Sequence, residues 1–150
     1  MGALTPCVDD YPDNLYSWLV YGPFDLSDAA AAEVLFQRWQ RTESGFDFFK
    51  WKASVDDDHY YGWESSGYTQ GWDGVTFDLC DPAGAGDFCG QPRVWVAFIL
   101  QSDESLGDLG VFLDDVVVRK RTAAAGSSPH SGEAVPAGSA SVRPAYGRRP

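Results

Sequence analysis

Two adjacent carboxylates stand inside the apolar, β-branched run at residues 111–118, and they are well placed to bind a cation. Aspartate has a poor strand propensity and its charge resists burial. Asp114 and Asp115 must therefore be solvated, hydrogen-bonded or bound to a metal ion. A strand with one face in water accounts for them without a ligand, because side chains alternate between the two faces. Calcium is the other possibility, since it takes six to eight oxygen ligands from loops and strand ends.

A second group that could bind a ligand is aromatic. Six Trp and Tyr side chains lie within residues 51–72, and such side chains anchor protein interfaces and stack on sugars. Aromatic residues in strands are more often part of the core, where each buries a large area. We predict that Trp18, Trp39 and Trp95 are core residues. The candidates for an exposed ligand-binding platform are Tyr61, Trp63 and Trp72.

The sequence lacks the motifs of common enzymes. Its two histidines, His59 and His130, do not form a His-Glu-x-x-His zinc motif, and neither a nucleophile elbow nor a phosphate loop occurs. Carboxylate pairs carry no information in so acidic a chain. We therefore expect no enzymatic activity.

The three cysteines suggest one crosslink. Cys80 and Cys89 flank a turn-rich segment, and a disulfide between them would stiffen that connection. Two reduced thiols are an equally good interpretation. Cys7 is then left free or paired outside this chain. No cysteine or histidine spacing indicates structural zinc.

Composition divides the chain into an acidic domain and a basic tail. Residues 1–118 contain all six tryptophans and have twenty-one acidic against five basic residues, a net charge of −16. Such a surface repels nucleic acid, and no apolar run is long enough to span a bilayer. We predict an N-terminal extension at 1–14, a single domain at 15–120 and a disordered tail of Ala, Gly, Ser, Pro and Arg at 121–150.

Short apolar or alternating runs, separated by turn residues, predict seven or eight strands and almost no helix. Residues 33–41 are ambiguous, and we predict a strand there with a helix as the alternative. The continuously apolar residues 94–100 predict a central strand covered on both faces. The fold class expected is all-β, an antiparallel β-sandwich of jelly-roll type.

Several motifs, in this order and spacing, resemble one known family over residues 15–118. They are YGPFDLSDA at 21–29, FDFFKWKASVD at 46–56, YYGW at 60–63, GQPRVWVAF at 90–98, QSD at 101–103 and LDDV at 113–116. The chain is similar to the jelly-roll accessory domains of secreted bacterial metallopeptidases of the immune inhibitor A type, which are related to MAM-type and carbohydrate-binding jelly rolls. The resemblance implies a non-catalytic sandwich, commonly stabilised by Ca²⁺.

This resemblance sharpens the cation hypothesis. If the first and last strands are neighbours, as in many jelly rolls, Asp25 or Asp28 could share a calcium ion with Asp114 or Asp115. Solvated surface acids remain the alternative. Two features depart from the family: the hairpin tip at residues 56–59 has no glycine, and the segment between the cysteines is an insertion.

The function expected is a monomeric accessory module that binds a glycan or protein surface. The alternatives are a structural domain packed against a missing peptidase domain, or a gene fragment without a function of its own. Residues 2–20 contain no secretory signal, so an extracellular location follows from the resemblance alone and would make the chain a piece of an exported protein.

Overall fold

The computed structural model describes residues 9–122 and 141–149, with side chains within the last stretch described at residues 145 and 147–149. Eight strands account for most of this part of the chain. Their bounds are β1 Tyr16–Phe24, β2 Ala29–Arg41, β3 Phe48–Ser54, β4 His59–Ser66, β5 Asp73–Asp78, β6 Val94–Gln101, β7 Gly110–Thr122 and β8 Ser141–Arg148. One short 3₁₀ turn at Pro82–Gly84 lies between β5 and β6.

The strands form two antiparallel sheets packed face to face. The five-stranded sheet has the order β1-β6-β3-β4-β8, and the three-stranded sheet has the order β5-β2-β7. The predicted all-β sandwich is confirmed, and so is the strand assignment of residues 33–41, which lie within β2. The apolar β6 has β1 on one side and β3 on the other, and both of its faces are buried.

The core between the sheets is built from aromatic rings. Phe36 of β2 packs edge-on against Phe49, Trp51 and Phe98 of the larger sheet, with ring centroids 5.0–6.3 Å apart. Edge-to-face contacts of this kind are more favourable than parallel face-to-face stacking. Alternation along β2 places Val34, Phe36 and Arg38 in this interior, so every second residue of the strand faces the other sheet.

A second buried cluster lies on the outer face of the five-stranded sheet. Tyr60, Trp95, Ala97 and Ile99 form it, and the half-buried Trp18 packs edge-on against Tyr60 with ring centroids 5.3 Å apart. Lys52, which pairs with Ala97 and Gly62, is only 2% exposed, and burial together with the Lys50 charge lowers the pKa of its amine to about 8.

The three tryptophans predicted as core residues differ in their burial. Trp95 is buried, whereas Trp18 and Trp39 are half-buried. Trp39 lies on the solvent-facing side of the three-stranded sheet, where its ring packs on Phe112 with centroids 5.5 Å apart. The reason is the alternation of β2: Arg38 and Gln40 occupy the inner face, so the residue between them must face outward.

Both ends of the chain pack on the sandwich where they are described. Tyr11, in the predicted N-terminal extension, is buried, and its backbone N–H donates to the carbonyl oxygen of Asp108 at 2.9 Å. Residues 141–148, within the predicted disordered tail, instead form β8 against β4, and residues 121–122 complete β7. Unpaired backbone groups on the edge of β4 supply the hydrogen bonds that composition alone does not reveal. Residues 123–140 of that tail lie outside the described residues.

Candidate functional site

The four aspartates predicted to share a calcium ion are not brought together. Asp28 pairs with Lys120, which also donates to the carbonyl oxygen of Asp25 at 2.9 Å. Asp114 and Asp115 lie further along β7, five residues or roughly 16 Å from Lys120 at ~3.3 Å per residue. A lysine already neutralises the first pair, and the second is too distant to complete its coordination.

Asp114 and Asp115 instead mark a β-bulge. Leu35 of β2 pairs with Val117, but Gln37 pairs with Asp114, so β7 has one extra residue opposite Phe36. Asp115 lies in this bulge with a φ of 49°, and its N–H donates to the Asp114 carboxylate at 2.8 Å. Bulges and charges on an edge strand discourage pairing with another chain, and β7 is such an edge. The exposed-strand interpretation of this pair thus fits the geometry.

A different acidic cluster forms where three loops meet. Glu43 follows β2, Asp47 precedes β3 and Asp103 follows β6, and one carboxylate oxygen of each lies within 4.8 Å of the others. The pairing of Phe48 with Gln101 brings the β3 and β6 ends together. Only Asp103 has an acidic neighbour in sequence, Glu104, but each of the three lies within two residues of a strand end at the same end of the sandwich. That position is the signal that sequence reasoning missed.

Hydrogen bonds hold the cluster, and one of its buried oxygens has no hydrogen-bond partner. Asp47 is fully buried, and its carboxylate accepts from the backbone N–H of Asp103 at 2.8 Å and from the Tyr11 hydroxyl. Burial and this bond raise the pKa of Tyr11, which therefore remains a neutral donor. Glu43 Oε2 is buried without a hydrogen-bond partner. Desolvation, then the charges of Asp103 and Asp47, raise the pKa of Glu43 above its usual value.

Carboxylate oxygens are the kind of ligand that Ca²⁺ takes, and these three side chains could supply part of the six to eight oxygens that it needs. A cation here would offset the burial and the neighbouring charges that raise the pKa of Glu43. A second grouping of possible ligand atoms, Cys80, Asp87 and Cys89, has two of its three ligands joined in a disulfide. The Cys80–Cys89 bond is the crosslink considered from sequence, and it closes the segment that contains the 3₁₀ turn.

The predicted aromatic platform is not a row. Tyr61 and Trp63 face the interior and pack against the core, because they alternate with Tyr60 and Gly62 on β4. Trp72 is 56% exposed, in the loop before β5. The loops around the acidic cluster carry other exposed apolar side chains: Phe46 between β2 and β3, Tyr68 beside Arg41, and Leu106 between β6 and β7. We call this end of the sandwich, with Trp72, Phe46, Tyr68 and Leu106, the loop end.

A buried polar network lies beneath the loop end. Arg38 is 1% exposed, donates to Asp73 Oδ2 from Nε at 3.2 Å and from Nη2 at 2.9 Å, and lies over the Trp51 ring. Its Nη1 donates to Ser65 Oγ at 2.6 Å and to Gln40 Oε1 at 3.3 Å. An arginine between Gln37 and Trp39 was not predicted to face inward. The alternation Val34, Phe36, Arg38 is the pattern that could have shown it.

Comparison with known proteins links the chain to a peptidase. No family model matches the chain. An alignment over 123 residues, which covers 79% of the chain, gives 28% identity to Bacillopeptidase F of Bacillus subtilis (strain 168). The chain is similar to a piece of a peptidase. It spans only 8% of the length of that relative, so the comparison concerns one small part of a much longer protein.

Among the described residues, no helix is long and apolar enough to cross a membrane.

Proposed function

We propose that this chain is a non-catalytic accessory module of an exported peptidase, and that it binds a glycan or protein surface through the loop end. The observation that carries the proposal is the coincidence of exposed aromatics and an acidic cluster at one end of the sandwich. Trp72 and Tyr68 offer rings for stacking, and Tyr68 forms a β-bridge with Arg41, two residues before Glu43. Similarity to part of Bacillopeptidase F supports the link to a peptidase and to the outside of the cell.

The proposal assigns calcium a structural role at this end. Glu43, Asp47 and Asp103 would hold the ion, and the ion would tie together three loops that otherwise have like charges facing each other. Loops fixed in this way present their aromatics without an ordering cost at the moment of binding. Calcium in this scheme supplies rigidity and no chemistry.

The calcium part is tested by thermal melting with and without the ion. We expect Ca²⁺ at a hundred times its Kd to stabilise the wild type by about 2.7 kcal/mol, as binding to the native state alone requires. Glu43→Gln should abolish this increment. Asp114→Asn with Asp115→Asn is the matched control, because these carboxylates lie in the bulge, and it should retain the increment. An unchanged wild-type melt in saturating Ca²⁺ would remove calcium from the proposal.

In the presence of a chelator, Glu43→Gln should not lower the stability of the folded domain. A carboxyl group whose pKa is raised in the folded state binds its proton more tightly there, so stability falls as pH rises from the unfolded to the folded pKa. For Glu43 that window opens near pH 4.3, the ordinary pKa of glutamate. We expect Glu43→Gln to be at least as stable as the wild type at pH 7 in EDTA, and to lack this part of the pH dependence.

Target binding is tested by co-sedimentation with insoluble chitin, cellulose and peptidoglycan, and by retention on immobilised gelatin. We expect retention on at least one of these probes and its loss in Trp72→Ala and Tyr68→Ala. Tyr21→Ala is the matched control, since Tyr21 and Tyr68 are both 50% exposed but Tyr21 lies on β1, away from the loop end. Retention that survives both loop-end substitutions would contradict the proposed surface.

A purely structural domain is the second candidate, and one surface favours it. The solvent-facing side of the three-stranded sheet carries the exposed Val117, which pairs with Leu35, and the Trp39–Phe112 pair four residues further along β2. An apolar sheet face of this kind suits packing against a neighbouring domain. Failure to bind any of the four probes, with an intact fold, would favour this role over the first.

A further inference from the structure

The edge of β4 carries the chain's own C-terminal segment as an added strand. Eight residue pairs join the two strands, from His59 with Arg148 to Ser66 with Ser141. Beyond the ladder, the Arg149 N–H donates to the carbonyl oxygen of Asp58 at 3.0 Å. Main-chain pairing of this type is how extended peptides bind to exposed sheet edges.

Charge complementarity fixes one end of the added strand. Arg149 Nη1 donates to both carboxylate oxygens of Asp57 at 2.9 Å, and Arg148 pairs with Asp58. We call the three-aspartate turn at residues 56–58 the acidic turn. Asp57 also accepts from the Tyr60 hydroxyl at 2.5 Å, so its carboxylate is oriented before an arginine arrives. The acidic domain that surrounds this turn, with a net charge of −16 over residues 1–118, attracts basic segments over a longer range.

Space for side chains is limited at two positions of β8. Ala145 is buried opposite Gly62, and a Cβ placed on Gly147 would come within 3.2 Å of the Lys52 amine nitrogen. Lys52 would have to move its amine by a few tenths of an ångström, and it is only 2% exposed. The edge therefore has least space at these two alternate positions, which the two arginines follow.

We propose that the β4 edge and the acidic turn form a docking site for an extended basic peptide, which residues 141–149 of the same chain occupy in cis. The partner is a peptide strand with small residues at two alternate positions and a pair of arginines after them. This proposal is independent of the loop end and of calcium.

A competing peptide must displace residues 141–149, which are attached to the same chain as the site. Eighteen residues connect Thr122 to Ser141. Covalent attachment raises the concentration of the segment at its own site, to the order of millimolar for short linkers. A peptide of 10 μM intrinsic affinity would thus bind about 100-fold more weakly while the cis segment remains attached. Cleavage of the connection would free the site on dilution.

The experiment compares the full chain before and after cleavage. A specific protease site replaces residues 128–134, and a fluorescein-labelled peptide with the sequence of residues 141–149 is titrated by anisotropy. We expect the cut, diluted chain to bind it with a micromolar Kd, and the uncut chain to bind about 100-fold more weakly. The peptide with Val in place of Gly147 should bind at least tenfold more weakly to the cut chain.

Matched domain variants separate the acidic turn from general acidity. Asp57→Asn keeps a residue that tolerates positive φ and can still accept from Tyr60, but it removes the charge that faces Arg149. It should weaken the peptide at least fivefold and reduce its salt dependence. Glu104→Gln removes one exposed charge after β6 and should leave the affinity unchanged.

Three results would overturn the proposal. They are equal affinity of the cut and uncut chains, absence of binding to the cut chain at 200 μM, and an uncut chain that is dimeric at 10 μM, which would indicate strand exchange between copies. If the cut chain unfolds once the segment leaves, the readout becomes refolding. Added peptide should then restore the native melting transition, and failure to restore it counts against the site.

Discussion

Removal of the buried guanidinium at Arg38 should cost more stability than removal of any exposed arginine. Arg38→Ala leaves the Asp73 carboxylate without its partner and deletes donors to Ser65 and Gln40. Breaking a buried pair by removing one member costs about 3–5 kcal/mol, because the remaining charge stays desolvated. Asp73 retains 21% exposure of its side chain, so water can partly solvate it. We therefore expect a loss near the lower end, about 3 kcal/mol.

Part of that loss is packing, and a second pair of variants separates the two contributions. Arg38→Met keeps an unbranched stem over the Trp51 ring, which lies 5.0 Å from the guanidinium carbon. Asp73→Asn removes the opposite charge with little change of shape. Since the two residues are in direct contact, the double variant should be more stable than the sum of the single losses predicts, by about 1–3 kcal/mol.

The assay is urea unfolding followed by tryptophan fluorescence, with the free energy of unfolding extrapolated to water. Arg41→Ala is the control. Arg41 lies at the end of the same strand, its side chain is 45% exposed, and it pairs with Asp108 at 3.2 Å. Exposed pairs contribute about 0–1 kcal/mol, so this variant should be nearly neutral. Equal losses for Arg38→Ala and Arg41→Ala, or additive losses in the cycle, would refute the assignment of Arg38 as the centre of a buried network.

Two further predictions concern β7 and the disulfide. Asp115→Gly should be neutral or slightly stabilising. Asp115→Val should destabilise the fold by about 1–2 kcal/mol, because a β-branched residue fits poorly at a φ of 49°. Matched denaturation curves in EDTA check this, and equal effects of Gly and Val would argue against the bulge. The variant Cys80→Ser with Cys89→Ser should lose about 2.5–3 kcal/mol, the loop entropy of a nine-residue separation; a melting temperature unaffected by reductant would contradict it.

Much of the sandwich could be predicted because its strands have a recognisable local sequence pattern. The alternation of Phe49 and Trp51 with Lys50 and Lys52, and the unbroken apolar residues 94–100, each require only a short window of sequence. The sheet order could not be predicted in this way, since it depends on which edges meet. The segment 141–148 shows the limit clearly. Its composition is that of a disordered chain, and its strand exists because β4 offers an unpaired edge.

The candidate site was missed for a related reason. Asp114 and Asp115 were predicted as calcium ligands because they are adjacent and lie in an apolar run. In the structure they form a β-bulge. Glu43, Asp47 and Asp103 are scattered over sixty residues and look ordinary in sequence. Only the register of β3 against β6, which pairs Phe48 with Gln101, brings their loops together.

The polar network around Arg38 explains why the loop end can be ordered before a ligand arrives. Within β2 the inner face changes from apolar to polar after Phe36, where Arg38 and Gln40 follow. Hydrogen bonds from this end of the strand reach the neighbouring loops. The Gln40 N–H donates to Thr69 Oγ1 at 2.9 Å, Thr42 Oγ1 accepts from the Gly67 N–H at 3.0 Å, and Ser66 Oγ donates to the carbonyl oxygen of Glu43 at 3.0 Å.

These bonds connect the loop that carries Tyr68 and Trp72 to the loop that carries Glu43 and Asp47. A buried polar network that is fully satisfied adds little net stability but selects one arrangement of the groups it joins. Arg38 is connected to these bonds through the Gln40 side chain, whose Oε1 accepts from Arg38 Nη1 and whose Nε2 donates to Thr42 Oγ1 at 3.1 Å. We therefore expect Arg38 to affect the geometry of the acidic cluster. Arg38→Met should accordingly lower the affinity for Ca²⁺ even though Arg38 is not itself one of the proposed ligands.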